Sequence, residues 1–251
     1  KLRLGRGHQT YSLDINTGDW TAMKTESNNY RMLKNDGDAD ARVLSFFGIS
    51  GVLSVVAIAV FILSPPANIG VAEGQLAPNF ASQAYDNSWS SFELYDHIDQ
   101  TWVEGEEGQW VLLLFIDTDC PYCFESGDEH TDMHNAYASS VKFLTVVTEL
   151  QISGHESSKA EIVDYKEKND NSGCKSDRAN CNQRPGDVHN WPYIDDLDRS
   201  IAEDYNLPGT PFYLLLSPDG IVQWNSGQHS GQSDPLSDPF GALQFHVGAS
   251  A

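Results

Sequence analysis

Trp110 to Cys123 reads WVLLLFIDTDCPYC. Its first seven residues, Trp110 to Ile116, are apolar without a break, the pattern of a strand covered on both faces. Pro121 suits the first position of a helix, where no backbone N–H is needed. The stretch therefore reads as a strand-to-helix junction with Cys120 as the N-cap. The sulfur of Cys120 would lie beside the unpaired N–H groups of the first turn and the positive end of the helix dipole, and both favour a thiolate. Cys123 follows one turn later on the same side, close enough for a reversible disulfide. Two other readings compete. A CxxC pair can be half of a zinc site, but the remaining pair, Cys174 and Cys181, has six residues between its members rather than two to four. A purely structural bond across so short a loop would stabilise the fold little.

Outward from this junction the chain alternates between strand and helix patterns. Cys120 to about Tyr137 is read as one helix, Val141–Val147 (VKFLTVV) as a second buried strand, and 157–168 as helical. Residues 169–190 are polar and rich in Asn, Asp and Gly, which indicates a loop insertion holding Cys174 and Cys181. Residues 194–205 read as a helix after a short extended piece. FYLLL (212–216) and IVQW (221–224) flank Ser217-Pro218-Asp219-Gly220, a hairpin signal. A last helix is expected at 236–246. The pattern indicates an α/β domain with a mixed sheet.

Four segments resemble the thioredoxin-like superfamily, nearest to membrane-anchored thiol–disulfide oxidoreductases of the TlpA/ResA type. They are Ala77-Pro78-Asn79-Phe80, the strand and CPYC motif, residues 191–211 ending in Gly209-Thr210-Pro211, and the hairpin 212–224. The resemblance covers about residues 76–228. It implies a thioredoxin-like mixed sheet flanked by helices, with Cys120 as the exposed attacking thiolate and Cys123 as the resolving thiol. It also implies that Pro211 is cis and faces the motif, presenting the Thr210 backbone to an incoming peptide. Pro121 and Tyr122, the dipeptide found in glutaredoxins, would face the substrate with Thr210. Departures are visible. Asp117 and Asp119 precede Cys120, and their charge would raise the thiol pKa. Leu114 and Ser126 stand where relatives carry acidic groups, so Glu125, or Glu129, is the candidate proton acceptor.

The remaining features set the context. The chain has 251 residues and a formal net charge of −21, with 40% hydrophobic residues, which excludes general disorder and argues against nucleic acid as a partner. The charge is uneven: residues 1–42 carry seven Lys/Arg and six Asp/Glu, whereas 43–251 carry eight and thirty. Val43 to Ser64 is 22 residues without a charge, long enough for a transmembrane helix. Lys24, Arg31, Lys34 and Arg42 precede it and no Lys or Arg follows until Lys142. The positive-inside rule then places the N-terminus in the cytoplasm and the acidic part outside the cell membrane. The expected organisation is a mostly disordered cytoplasmic tail (1–42), in which residues 14–19 suggest a turn of a hairpin. A signal-anchor helix (43–64), a linker (65–78) and an extracytoplasmic domain (79–251) follow.

In an oxidising compartment Cys174 and Cys181 are expected to form a structural disulfide, with a second redox pair as the alternative. His130, Met133, His134 and Tyr137 share one helix face with Cys123; two histidines one turn apart can bind metal, but a polar helix lining is the simpler reading. The functional expectation is a tethered thiol–disulfide oxidoreductase without diffusible cofactor or metal. Its partners would be substrate proteins with thiols or disulfides and a thiol or membrane electron donor. The alternatives are a non-catalytic copper- or client-binding module using Cys120 and Cys123 with His130 or His134, and a peroxide-reducing relative. The latter is disfavoured because no Pro-x-x-x-Thr-x-x-Cys pattern ends at Cys120.

Overall fold

The computed structural model describes residues 3–6, 9–13, 20–23, 68–231 and 235–248. The chain divides into two units, Lys1–Pro65 and Pro66–Ala251. In the first, β1 (Arg3–Arg6), β2 (Gln9–Leu13) and β3 (Trp20–Met23) form an antiparallel sheet in that order. Leu13 pairs with Trp20 across the turn-like stretch. The tail expected to be mostly disordered thus carries three short strands. The apolar span 43–64 lies outside the described residues. Among the described residues no helix is long and apolar enough to cross a membrane.

The second unit is built on a seven-stranded sheet. Its strands are β4 (Ala81–Tyr85), β5 (Trp89–Glu93), β6 (Trp110–Ile116), β7 (Val141–Thr148), β8 (Tyr193–Asp196), β9 (Phe212–Leu216) and β10 (Val222–Asn225). The spatial order is β10-β9-β6-β7-β8-β4-β5. β6, β7 and β8 run parallel, and the other neighbours are antiparallel. The run WVLLLFI sits at the centre, and its alternation divides two apolar layers. Leu112, Leu114 and Ile116 face one layer with Cys120, Cys123, Met133, Ile162 and Tyr165. Val111, Leu113 and Phe115 face the other with Leu94, Ile201 and Tyr205.

Helices cover both faces: α1 (Pro121–Glu125), α2 (Gly127–Tyr137), α3 (Lys159–Glu167), α4 (Ser200–Asp204) and α5 (Pro239–His246). Three expectations are corrected. The single helix over 120–137 is broken at Ser126. Gly127 opens α2 against the insertion, where only a glycine fits: a Cβ there would lie 2.6 Å from the Pro185 carbonyl oxygen. The helix expected over 194–205 is shorter, since Tyr193–Asp196 pairs in parallel with β7 and only Ser200–Asp204 is helical. Of the expected linker 65–78, residues 65–67 lie outside the described residues. Residues 68–78 are packed on the sheet, with Leu76 bridging Ile221 and the Gly74 N–H donating to the Val222 carbonyl at 2.8 Å.

Among the described residues four carboxyl groups, Asp117, Asp119, Glu161 and Asp196, are buried, and burial raises each of them. Burial pushes Glu161 up to about 7, and Asp117 and Asp196 up to about 6. Each folded value is above the unfolded one, so the stabilisation is complete below about pH 4 and is lost as pH rises towards 7. Glu161 is the most exposed to this effect, because its Oε1 is buried with no hydrogen-bond partner among the described residues. Glu161→Gln is expected to raise the melting temperature at pH 7.5 by about 3 °C and to leave it unchanged at pH 4, measured by thermal unfolding.

Candidate active site

The end of β6 and the start of α1 place Cys120 as the N-cap, with φ −71° and ψ 121°. The Cys123 N–H donates to its sulfur at 3.5 Å, and in the thiol state Cys120 donates to the Thr210 carbonyl at 3.5 Å. The Thr210–Pro211 peptide bond is cis, at the start of β9. The motif and the Gly-Thr-Pro turn, 90 residues apart in sequence, therefore meet at the sulfur. No disulfide joins Cys120 to Cys123 in this structure.

The two sulfurs are in opposite states. Cys120 is drawn down to about 6, first by the hydrogen bond from the Cys123 thiol, against the cost of burial, and then by the backbone amides of Cys123 and Tyr122. Burial pushes Cys123 far above the ordinary thiol range. One expectation needs correction: Cys120 is not exposed. It retains 3% of its surface, because the Thr210 carbonyl and the α1 turn cover it, while Tyr122 beside it is 71% exposed. Tyr122 is the most exposed residue of the motif.

Asp117 and Asp119 do not raise the thiol as the sequence suggested. Both side chains turn into the loop. Asp117 accepts the N–H groups of Asp119 and Leu150, each at 2.7 Å, and Asp119 accepts that of Ser176 at 2.8 Å. Burial lifts both carboxyls above their ordinary range, which weakens the repulsion of a thiolate. Glu125, the candidate proton acceptor, points elsewhere: its carboxylate pairs with Lys175 at 2.8 Å on the surface. Glu129 is half-buried near Asp238 and Asp128, with its carboxyl raised by burial.

His130 and His134 are used in packing. His130 is buried with Nε2 2.9 Å from the Tyr213 hydroxyl, and burial beside Arg184 drives it down to about 3. His134 stacks on Trp191. Among the described residues no group of three His, Cys, Asp or Glu side chains is placed to hold a metal ion. Cys174 and Cys181 form a disulfide, buried on the same side of the sheet as the motif.

Four residues that support the motif were not singled out from the sequence. The Tyr165 hydroxyl donates to the Cys123 carbonyl at 2.8 Å. Arg184, fully buried, donates to the carbonyls of Tyr165, Pro185 and Asp187 at 2.7–3.0 Å, and its Nη1 lies 2.6 Å from His189 Nε2. Lys175 and Ser176 reach the motif from the insertion. Only Tyr165 could have been found, as an apolar-face residue of α3 with Ile162.

Residues 74–225 match the model of the AhpC/TSA family. The chain belongs to the AhpC/TSA family. The matched span of this AhpC/TSA chain runs from the packed segment before β4 to the end of β10, and its sheet is a thioredoxin-like mixed sheet flanked by helices. Among solved structures it is similar to a hypothetical protein from Sinorhizobium meliloti, at 17% identity, TM-score 0.50, covering 72% of this chain and 85% of the other. It is also similar to a reduced 2-Cys peroxiredoxin from Plasmodium vivax, at 22% identity, TM-score 0.46 and coverages of 70% and 83%. A thiol:disulfide interchange protein from Bacteroides sp. is similar at 18% identity, TM-score 0.46 and coverages of 71% and 91%. A search of curated proteins found no match.

Two outcomes test this geometry. At pH 7 iodoacetamide is expected to label Cys120 in preference to Cys123, with a rate profile whose midpoint lies at about 6. Tyr165→Phe is expected to cost about 1 kcal/mol in denaturant unfolding, since the Cys123 carbonyl loses its buried donor.

Proposed function

We propose that this protein is a thiol–disulfide oxidoreductase that exchanges disulfides with substrate proteins through Cys120 and Cys123. One observation carries the reading: a low-pKa thiol at a helix N-cap lies 3.5 Å from the carbonyl of the residue preceding a cis proline, with a high-pKa thiol one turn behind it. The Cys120 thiolate attacks a substrate disulfide, forms a mixed disulfide and releases one substrate thiolate, which takes up a proton. Cys123 then loses its proton, attacks the Cys120 sulfur and expels the second substrate thiolate. Two electrons pass from the dithiol to the substrate, and the Cys120–Cys123 disulfide remains. The reverse sequence oxidises a substrate dithiol. Thr210 and Pro211, with Pro121 and Tyr122, form the surface on which the substrate strand lies.

The protein is anchored, on this reading, by the span 43–64, with its N-terminus cytoplasmic and the redox domain extracytoplasmic, as in the TlpA/ResA type. The charge asymmetry around the span supports that orientation. A thiol protein or a membrane partner resets the dithiol. The buried Cys174–Cys181 disulfide is structural on this reading, since neither of its cysteines follows the end of a strand as Cys120 does.

The family match favours a second reading, peroxide reduction by Cys120. Leu113 and Asp117 stand against it, occupying the Pro and Thr positions of the Pro-x-x-x-Thr-x-x-Cys pattern. Cys123→Ser is expected to accumulate mixed disulfides through Cys120, visible on non-reducing gels and lost in Cys120→Ser. Failure to trap any client, together with hydrogen peroxide turnover by the unmodified protein, would replace the first reading with the second.

A further inference from the structure

The insertion 169–190 touches the CPYC motif on both flanks. On the N-terminal flank, the Lys175 N–H donates to the Thr118 carbonyl at 3.0 Å. The Ser176 N–H donates to the Asp119 carboxylate at 2.8 Å and its hydroxyl to the Asp119 carbonyl at 2.9 Å. That carbonyl belongs to the peptide bond leading into Cys120. On the C-terminal flank, the Lys175 ammonium lies 5.7 Å from the centre of the Phe124 ring and 2.8 Å from Glu125 Oε1. A third hold is indirect: Arg184 grips the Tyr165 carbonyl, and the Tyr165 hydroxyl holds the carbonyl of Cys123.

The backbone that delivers these contacts is unusual. Lys175, Ser176 and Asp177 are three successive non-glycine residues with φ of 59°, 54° and 55°. Such a run persists only where its surroundings over-determine it. Here they do so in two ways. The Cys174–Cys181 disulfide closes the loop that contains these residues, and the Cys181 N–H is tied to the Asn171 carbonyl at 2.8 Å. Ser176 and the disulfide are buried, although the segment is polar in sequence.

We propose that the disulfide-closed insertion is a working part of the redox site, in which Lys175 and Ser176 are positioning residues that fix Cys120 at the helix N-cap. The inference rests on the oxidoreductase reading and assigns the insertion a role within it. Ser176 fixes the peptide before Cys120, and Lys175 fixes α1 behind it. The sulfur is thereby held in line with the Cys123 amide and the Thr210 carbonyl. The Cys174–Cys181 bond acts through them and exchanges no electrons in the cycle.

The test uses the full chain and the pH dependence of Cys120 alkylation by iodoacetamide, read by mass spectrometry, with the dithiol potential measured against glutathione. Ser176→Gly removes the hydroxyl, keeps the net charge and suits the left-handed backbone. Lys175→Gln removes the contact behind the motif, and Cys174→Ala with Cys181→Ala opens the loop. Each is expected to raise the alkylation midpoint by about half a pH unit, a roughly threefold fall in rate at pH 5.5, with an unchanged far-UV spectrum. Lys159→Gln, which breaks the Lys159–Asp195 surface pair, is the control and is expected to leave the profile unmoved. Should the double cysteine variant fail to fold, the two single variants decide. Profiles and potentials of Ser176→Gly and Lys175→Gln that superimpose on the parent would overturn the proposal. A parent midpoint near that of free cysteine would count against the oxidoreductase reading itself, and the variants' displacement from it would still decide the role of the insertion.

Discussion

The hydrogen bonds received by the Cys120 sulfur from Cys123 depend on where the chain leaves β6. That strand is buried on both faces and paired on both edges, so its end is fixed in three dimensions. The next residues form a tight loop tied by Asp117, which accepts two backbone amides, and Pro121 starts α1 directly after Cys120. A thiol at this point is acidified because a nearby thiol and amides stabilise its charge. Burial works in the opposite direction and is outweighed. One turn further on burial wins, and Cys123 stays protonated. The difference between the two sulfurs follows from their placement, three residues apart on one short helix.

Much of this was legible in the sequence because it is written in local pattern. An unbroken apolar run, a proline at the first helical position and a Ser-Pro-Asp-Gly turn each have a direct structural reading, and β6, α1 and the β9–β10 hairpin follow from them. The β4–β5 hairpin was not legible. Its strands are half-exposed at the edge of the sheet, and residues such as Ser90, Ser91 and Gln83 give no strong alternation. The break at Ser126 was hidden for another reason: the glycine beside it packs against the Pro185 carbonyl, almost sixty residues away, and such a contact leaves no local pattern.

The site was legible in its sulfurs and the turn facing them, and less so in its supports. Glu125 has the right chemistry and spacing for a proton acceptor, but a lysine from the insertion captures it. Asp117 and Asp119 look like repelling charges until their hydrogen-bond partners are known. Tertiary contacts of a polar loop leave no periodicity, so Ser176, Lys175 and Arg184 could not be told from ordinary surface residues.

Arg184 has a consequence of its own. Its guanidinium is enclosed by backbone oxygens from α3 and from the insertion, and by His189, none of which is an acid. These acceptors were taken out of water on the condition that a planar, multi-pronged donor meets them. The segment is therefore not a detachable ornament that a shorter bridge could replace. Cutting it away would strand the Tyr165 and Lys166 carbonyls of α3 behind the CPYC turn, so redesign of this scaffold has to treat loop and turn as one piece.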